Sequence, residues 1–214
     1  MIDDLTLRAL EDAARARCDG ADSAHDWQHV ERVRRNAIVL AEAAGADRAT
    51  CELAALLHEL FNYPKGHPDS KRSGEVCAQH ARALLAEHGV DAGVVEAVGY
   101  AIAVHPFSLG VTPTTLEARV LQDADRLDAL GAIGVARCFA TCADMRRPFY
   151  DPDDPWCAAR EPDDKRWGVD HFEKKLLKLE GIFHTEAARE TARARTRFMR
   201  DYLAQLAAEL RGDG

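Results

Sequence analysis

At 214 residues and 47% hydrophobic composition, the chain is long enough to bury a sizeable core as one ordinary domain. Its 36 acidic and 28 basic side chains give a formal net charge of -8, which excludes broad attraction to long nucleic acid or anionic lipid but leaves room for a local basic pocket. No apolar run approaches the roughly 20 residues that a bilayer requires, and the acidic, amphipathic N-terminus lacks the basic and apolar regions of a signal peptide, so a cytoplasmic protein with no membrane partner is expected.

Helical spacing dominates, and the expected fold class is all-α. Leu5, Leu7, Leu10, Ala13 and Ala14 share the face of a first helix, which the run at 19–23 ends. A second helix is predicted from about 26 to 44, with Val30, Val33, Ala37, Leu40 and Ala41 on one face and Gly45 as its stop. A third runs from about 48 to 60 and carries Leu53, Leu56 and Leu57. Residues 62–72, with two prolines and a glycine, read as a loop. Helices follow at about 73–87, 91–104 and 115–130, the last resuming over 135–143 beyond the glycines at 131 and 134. The proline-rich, acidic stretch 146–164 breaks the pattern and reads as a long surface excursion, either a lid or an ordered wrap. A closing pair is predicted at about 171–179 and 185–210. One domain over 1–214 is expected, with its core at about 20–145, the excursion at 146–170 and the helices of 171–211 packed on the core. The cysteines at 18, 51, 77, 138, 142 and 157 form no Cys-x-x-Cys pair and read as reduced residues, mostly of the core.

Three segments carry side chains suited to chemistry. In HDWQHVERV, His25 and His29 lie four apart and share a face if one helix holds both, although His25 capping the helix and His29 packing inside it is the plainer alternative. His58-Glu59 closes an apolar run, which puts an imidazole and a carboxylate at a helix's C-terminal end beside a loop. Such a pair suits Zn, Mn, Fe or Co better than Ca, and Asn62 rules out the zinc-peptidase pattern His-Glu-x-x-His. The third segment, LQDADRLDALG, sets Asp123, Asp125 and Asp128 among apolar residues, where buried carboxylates need partners. A metal is one such partner; Arg126 and solvent are the ordinary ones.

Taken in order, HDWQHVERV, AALLHEL, LEARVLQDADRLDALGAIGVAR and HFEKKLLKLEGIF resemble the blocks of one bacterial branch of the HD-domain superfamily of metal-dependent phosphohydrolases, over roughly residues 20–205. The resemblance implies an HD-domain helical bundle and a divalent metal, Mn, Co, Ni, Fe or Zn with Mg as a further option. Its ligands would be His29, His58 and Asp125, joined by Glu59, with Asp123 and Asp128 supporting them or, alternatively, supplying the ligand, and with His25 beside the site as a substrate contact rather than on the metal. Two positions depart from the pattern: Glu59 stands where the superfamily has aspartate, and Asn62 where several members have an acid that orients water. Asparagine can orient water but cannot take its proton.

The activity so implied is hydrolysis of a small phosphorylated metabolite, with a nucleotide as the leading instance, by metal-activated water. Charge on the phosphoryl oxygens calls for cations, and Lys65, His67, Arg72 and Arg126 are the candidates. His105 is a candidate proton donor, and Tyr63, Phe107, Phe149, Tyr150 or Trp156 could stack on a base. A second copy of the chain is a further partner the reading allows. The alternative reading is a regulatory or ligand-binding HD module without turnover, motivated by Glu59 and Asn62. A di-iron oxygenase is a more distant option, which would draw further ligands from His25, His67 and His105.

Overall fold

The structure is a computed structural model and describes residues 2–18, 25–64 and 67–213. It is all-α, with no strand among the described residues. Contacts divide the chain into two compact units, 1–125 and 126–214.

In the first unit, α1 (Asp4–Cys18), α2 (Trp27–Ala44), α3 (Arg48–Leu57), α4 (Ser73–Glu87) and α5 (Ala92–Val104) are followed by most of α6 (Leu116–Leu127). Aspartates set three of the helix starts by accepting from backbone N–H groups of the first turn: Asp26 for α2, Asp47 for α3 and Asp91 for α5. Gly45 ends α2 at φ 72°, a left-handed conformation that glycine adopts without steric cost. The centre of the unit is α3, which packs on α1, α2 and α5. Residues Leu53 to Leu57 are all buried, so the C-terminal half of this helix is apolar on every side, while Arg48 and Glu52 mark its other end. Arg34 ties three helices together, pairing with Glu11 and Glu52 at 2.6 Å each and with Glu31 at 3.7 Å.

Close approach of α4 to the end of α5 depends on Gly74. A Cβ there would lie 2.8 Å from both Ala103 O and Pro106 Cγ, inside van der Waals contact. Gly74→Ala is therefore expected to cost about 1–3 kcal/mol, the usual range for overpacking, as a lowered midpoint in urea unfolding.

The second unit begins with the last residues of α6 and contains α7 (Gly131–Asp144), α8 (Asp170–Lys174), a 3-10 segment (Leu176–Ile182) and α9 (Glu186–Arg211). Phe139, Phe172 and Tyr202 gather their rings at centroid distances of 6.1 to 6.3 Å, and Phe149 adds an edge contact to Phe139 at 4.9 Å. The excursion 146–169 is bonded within itself and to the first residue of α8. Val169 N donates to Phe149 O at 2.7 Å, Arg160 forks onto the buried Asp170 carboxylate, and Arg160 Nε meets Asp151 at 3.1 Å.

Several boundaries differ from the sequence expectation. The third helix stops at Leu57, three residues early, because His58 takes the C-cap position. The α6 segment ends at Leu127, and α7 starts at Gly131 rather than 135. The expected helix at 171–179 is a five-residue α-helix followed by 3-10 turns. Five cysteines are buried and Cys157 is partly exposed, and all six are free thiols. The expected break at 19–23 lies outside the described residues.

Candidate metal centre

His29 and His58 come from different helices and meet in the core of the first unit. His29 occupies the first turn of α2, where its N–H is held by the Asp26 side chain at 2.8 Å, and it is 1% exposed. His58 caps α3 and is 2% exposed. Its Nδ1–H donates to Ala55 O at 2.7 Å, which fixes the tautomer and points an unprotonated Nε2 away from the helix. That Nε2 lies 3.2 Å from His29 Nε2. Burial, reinforced by neighbouring His29 and His105, pushes the His58 pKa down to about 3, so the ring is neutral at pH 7, the state a metal requires.

Carboxylates complete the cluster. Asp125 Oδ1 is 3.5 Å from His29 Nε2, and one ligand atom each from His29, His58 and Asp125 lie within 4.8 Å of one another. Glu59 Oε1 is 3.8 Å from Nε2 of both imidazoles, so the extra methylene relative to aspartate does not keep this side chain from the site. Asn62 Nδ2 donates to Glu59 Oε2 at 3.1 Å and orients it. Two imidazole nitrogens and the Asp125 carboxylate converging from three stretches of chain, with Glu59 against both imidazoles but outside that group of three, make a donor set that fits a divalent transition ion.

Other expected residues fall at varied places. His25 precedes α2 and its cap Asp26, so one helix does not hold both histidines; its ring centroid is 6.2 Å from that of His29. His105, following α5, is buried with its ring centroid 5.4 Å from that of His58, and its Nδ1–H donates to Ile102 O at 2.6 Å. Asp123 is fully buried on α6 but is not part of the His29, His58 and Asp125 group. His67 stacks on Tyr63 at 4.6 Å, and Arg72 pairs with Glu75 at 3.2 Å on the surface. Lys65 lies outside the described residues. In the second unit, Arg126 Nη1 donates to Ile182 O at 3.0 Å and meets His184 Nε2 at 3.3 Å, and Asp128 pairs with Arg137 at 2.8 Å.

Sequence reasoning missed the groups that hold these ligands in place. Cys77 of α4 donates its thiol toward Leu57 O and His58 O, at 3.4 and 3.2 Å, at the C-terminal end of α3, where Leu57 O also accepts from Leu60 N at 3.3 Å. Gln122 Nε2 donates to Val104 O at 2.8 Å and to Val111 O at 3.0 Å, which ties the two ends of the loop bearing His105 to α6. Asn36 of α2 donates to Ala124 O at 3.3 Å, one residue from Asp125. A polar residue inside an apolar run, as Gln122 is, was the one available signal.

An all-helical body with histidines from two helices and an aspartate from a third around one point defines a class of metal-binding helical protein. The HD-domain family profile matches residues 26–130, and the chain belongs to the HD-domain superfamily. The uncharacterized protein YpgQ of Bacillus subtilis is 32% identical over 194 residues, 89% of this chain and 86% of that protein. A Lactobacillus plantarum protein of known structure aligns over 100% of both chains at 30% identity and a TM-score of 0.77. An HD-superfamily hydrolase from Bacillus thuringiensis aligns over 95% of this chain and 97% of its own, at 32% identity and a TM-score of 0.73. The B. subtilis YpgQ structure in complex with ADP aligns over 95% and 94%, at 29% identity and a TM-score of 0.74. The fold is that of HD-superfamily hydrolases.

Proposed function

We propose that this chain is a divalent-metal-dependent phosphohydrolase acting on small phosphorylated metabolites, with nucleotides as the leading class. The observation that carries this reading is the convergence of His29, His58 and Asp125 within 4.8 Å. A divalent ion held by these residues and Glu59 would supply Lewis acidity, lowering the pKa of a coordinated water and polarising a phosphoryl oxygen. Around it, each side chain has a definable task. Ala55 O keeps the His58 lone pair aimed inward, and Asn62 holds Glu59 in place without taking a proton. His105 has Nδ1 committed to Ile102 O, so any proton it gives to a leaving group passes through Nε2. The nucleotide class is supported by the ADP found with B. subtilis YpgQ and by the nearly parallel Tyr63 and His67 rings, 12° apart, in the loop that follows His58 and Glu59.

The second reading is an HD module without turnover, for which Glu59 is the motive. Phosphate release measured across nucleotides with added Mn, Co, Ni or Mg separates the two. Hydrolysis that depends on the added metal is expected, and none in a His58→Ala protein that retains its helical circular dichroism. Metal retention without release from any substrate would favour the module.

A further inference from the structure

The last helix carries a charge pattern opposite to that of the whole chain. Residues 186–200 hold five arginines and two glutamates in a protein of net charge -8. Arg195 turns inward and donates to Leu127 O. Arg189, Arg193 and Arg200 instead line a cavity of about 410 Å³ facing the 3-10 segment. Spacings of four and seven residues put all three on one side of α9.

The three differ in what they do. Arg189 is built into the turn before α9, donating through Nε to Phe183 O at 3.2 Å, through Nη2 to His184 O at 2.8 Å and through Nη1 to Glu186 at 2.9 Å. Arg193 bonds through Nη2 alone, to Glu186 at 3.2 Å, and Arg200 through Nη1 alone, to Glu180 at 3.3 Å. Two carboxylates thus serve three guanidiniums, and the Arg193 and Arg200 pairs are at least half-exposed on the arginine side, where ion pairs are weak and exchangeable. A Cβ on Gly181 would meet nothing within 4 Å, which leaves that wall open, while the buried Phe183 gives the cavity an apolar floor.

We propose that this cavity binds a small anion carrying two or more phosphate groups, gripped by the guanidinium forks of Arg193 and Arg200. Seven residues separate their Cα atoms by roughly 10 Å along the helix axis, a span that a chain of phosphates bridges and a single orthophosphate does not. Guanidinium forks match phosphate oxygens in pairs, so a polyphosphate can take the place of a carboxylate partner held through one nitrogen. The site shares no residue with the His29, His58 and Asp125 cluster and does not rest on the hydrolase reading.

Inorganic tripolyphosphate titrated calorimetrically into the full chain, stripped of metal with EDTA and dialysed, tests this. Saturable binding that weakens between 50 and 200 mM salt is expected, and Arg193→Gln/Arg200→Gln should lower affinity about 100-fold while the helical circular dichroism is unchanged. Arg197→Gln, on the same helix but outside the cavity lining, should bind as the parent does. No saturable binding by the parent, or equal affinity in the parent and the double glutamine variant, overturns the proposal.

Discussion

His58→Ala is expected to lower Mn(II) affinity by at least about 100-fold, since removing a ligand costs no less than removing the outer groups that orient one, and to abolish metal-dependent phosphate release. The loss follows from geometry: His58 Nε2 is 3.2 Å from its counterpart on His29, and no other described imidazole joins this group. Asp125→Ala should likewise lose metal, whereas Asp123→Ala should reduce turnover more than metal content. Elemental analysis after gel filtration reads both, and the reverse pattern would exchange the two roles. The same substitution has a signature in metal-free protein. Burial holds His58 near a pKa of about 3, against 6.5 when unfolded. Between those values the unfolded chain binds a proton that the native chain does not, so stability is full above about pH 6.5 and falls as pH drops. Urea unfolding in EDTA at pH 7 and pH 5 should show the difference in the parent and a smaller one in His58→Ala.

Asp170→Ala should be among the most damaging changes outside the metal centre, at about 3 kcal/mol, or roughly 6–12 °C in Tm for a chain of this size. The Asp170 side chain is fully buried, accepting from Arg160 Nη2 at 2.9 Å and from Asp163 N at 2.6 Å. Burial alone would raise its pKa, but the Arg160 fork and the Asp163 N–H outweigh burial and hold the carboxyl below 3.8. A depressed carboxylate stabilises the fold above that pH and loses its contribution as pH falls through the folded value. The gap between parent and Asp170→Ala in thermal melts should therefore narrow toward pH 3. A wild-type Tm in the variant at pH 7 would mean that Arg160 does not fasten the 146–169 excursion.

What could be read from the chain beforehand was governed by how local each cause is. Helix periodicity, the aspartate caps and the Gly45 stop act within one turn, so α2 and α5 stand within a residue of where spacing predicts them. The short α8 gives way to 3-10 turns over Leu176–Ile182, a change of winding within a leucine-rich stretch that helical periodicity does not mark. The HD-domain resemblance made His29, His58 and Asp125 legible as a group, although local spacing alone left each with an ordinary alternative. Asp128 reads in the chain like Asp125, yet Arg137, nine residues on, is its partner. The partners of Cys77 and Gln122 could not be read from the chain because they are carbonyls 18 to 20 residues away, or 11 for the nearer partner of Gln122, and backbone carbonyls carry no sequence mark.

The buried helix α3 links the centre to the melting of the whole unit. Because His58 is anchored by Ala55 O and by the Cys77 thiol, occupancy of the ion site and cohesion of the interior share one set of bonds. An ion that binds only the native form raises the midpoint of unfolding in proportion to the logarithm of its concentration, so a calorimetric scan doubles as a gauge of loading. Conversely, a cavity opened at Leu53 or Leu56, side chains that offer no donor to an ion, would be felt as weaker ion capture.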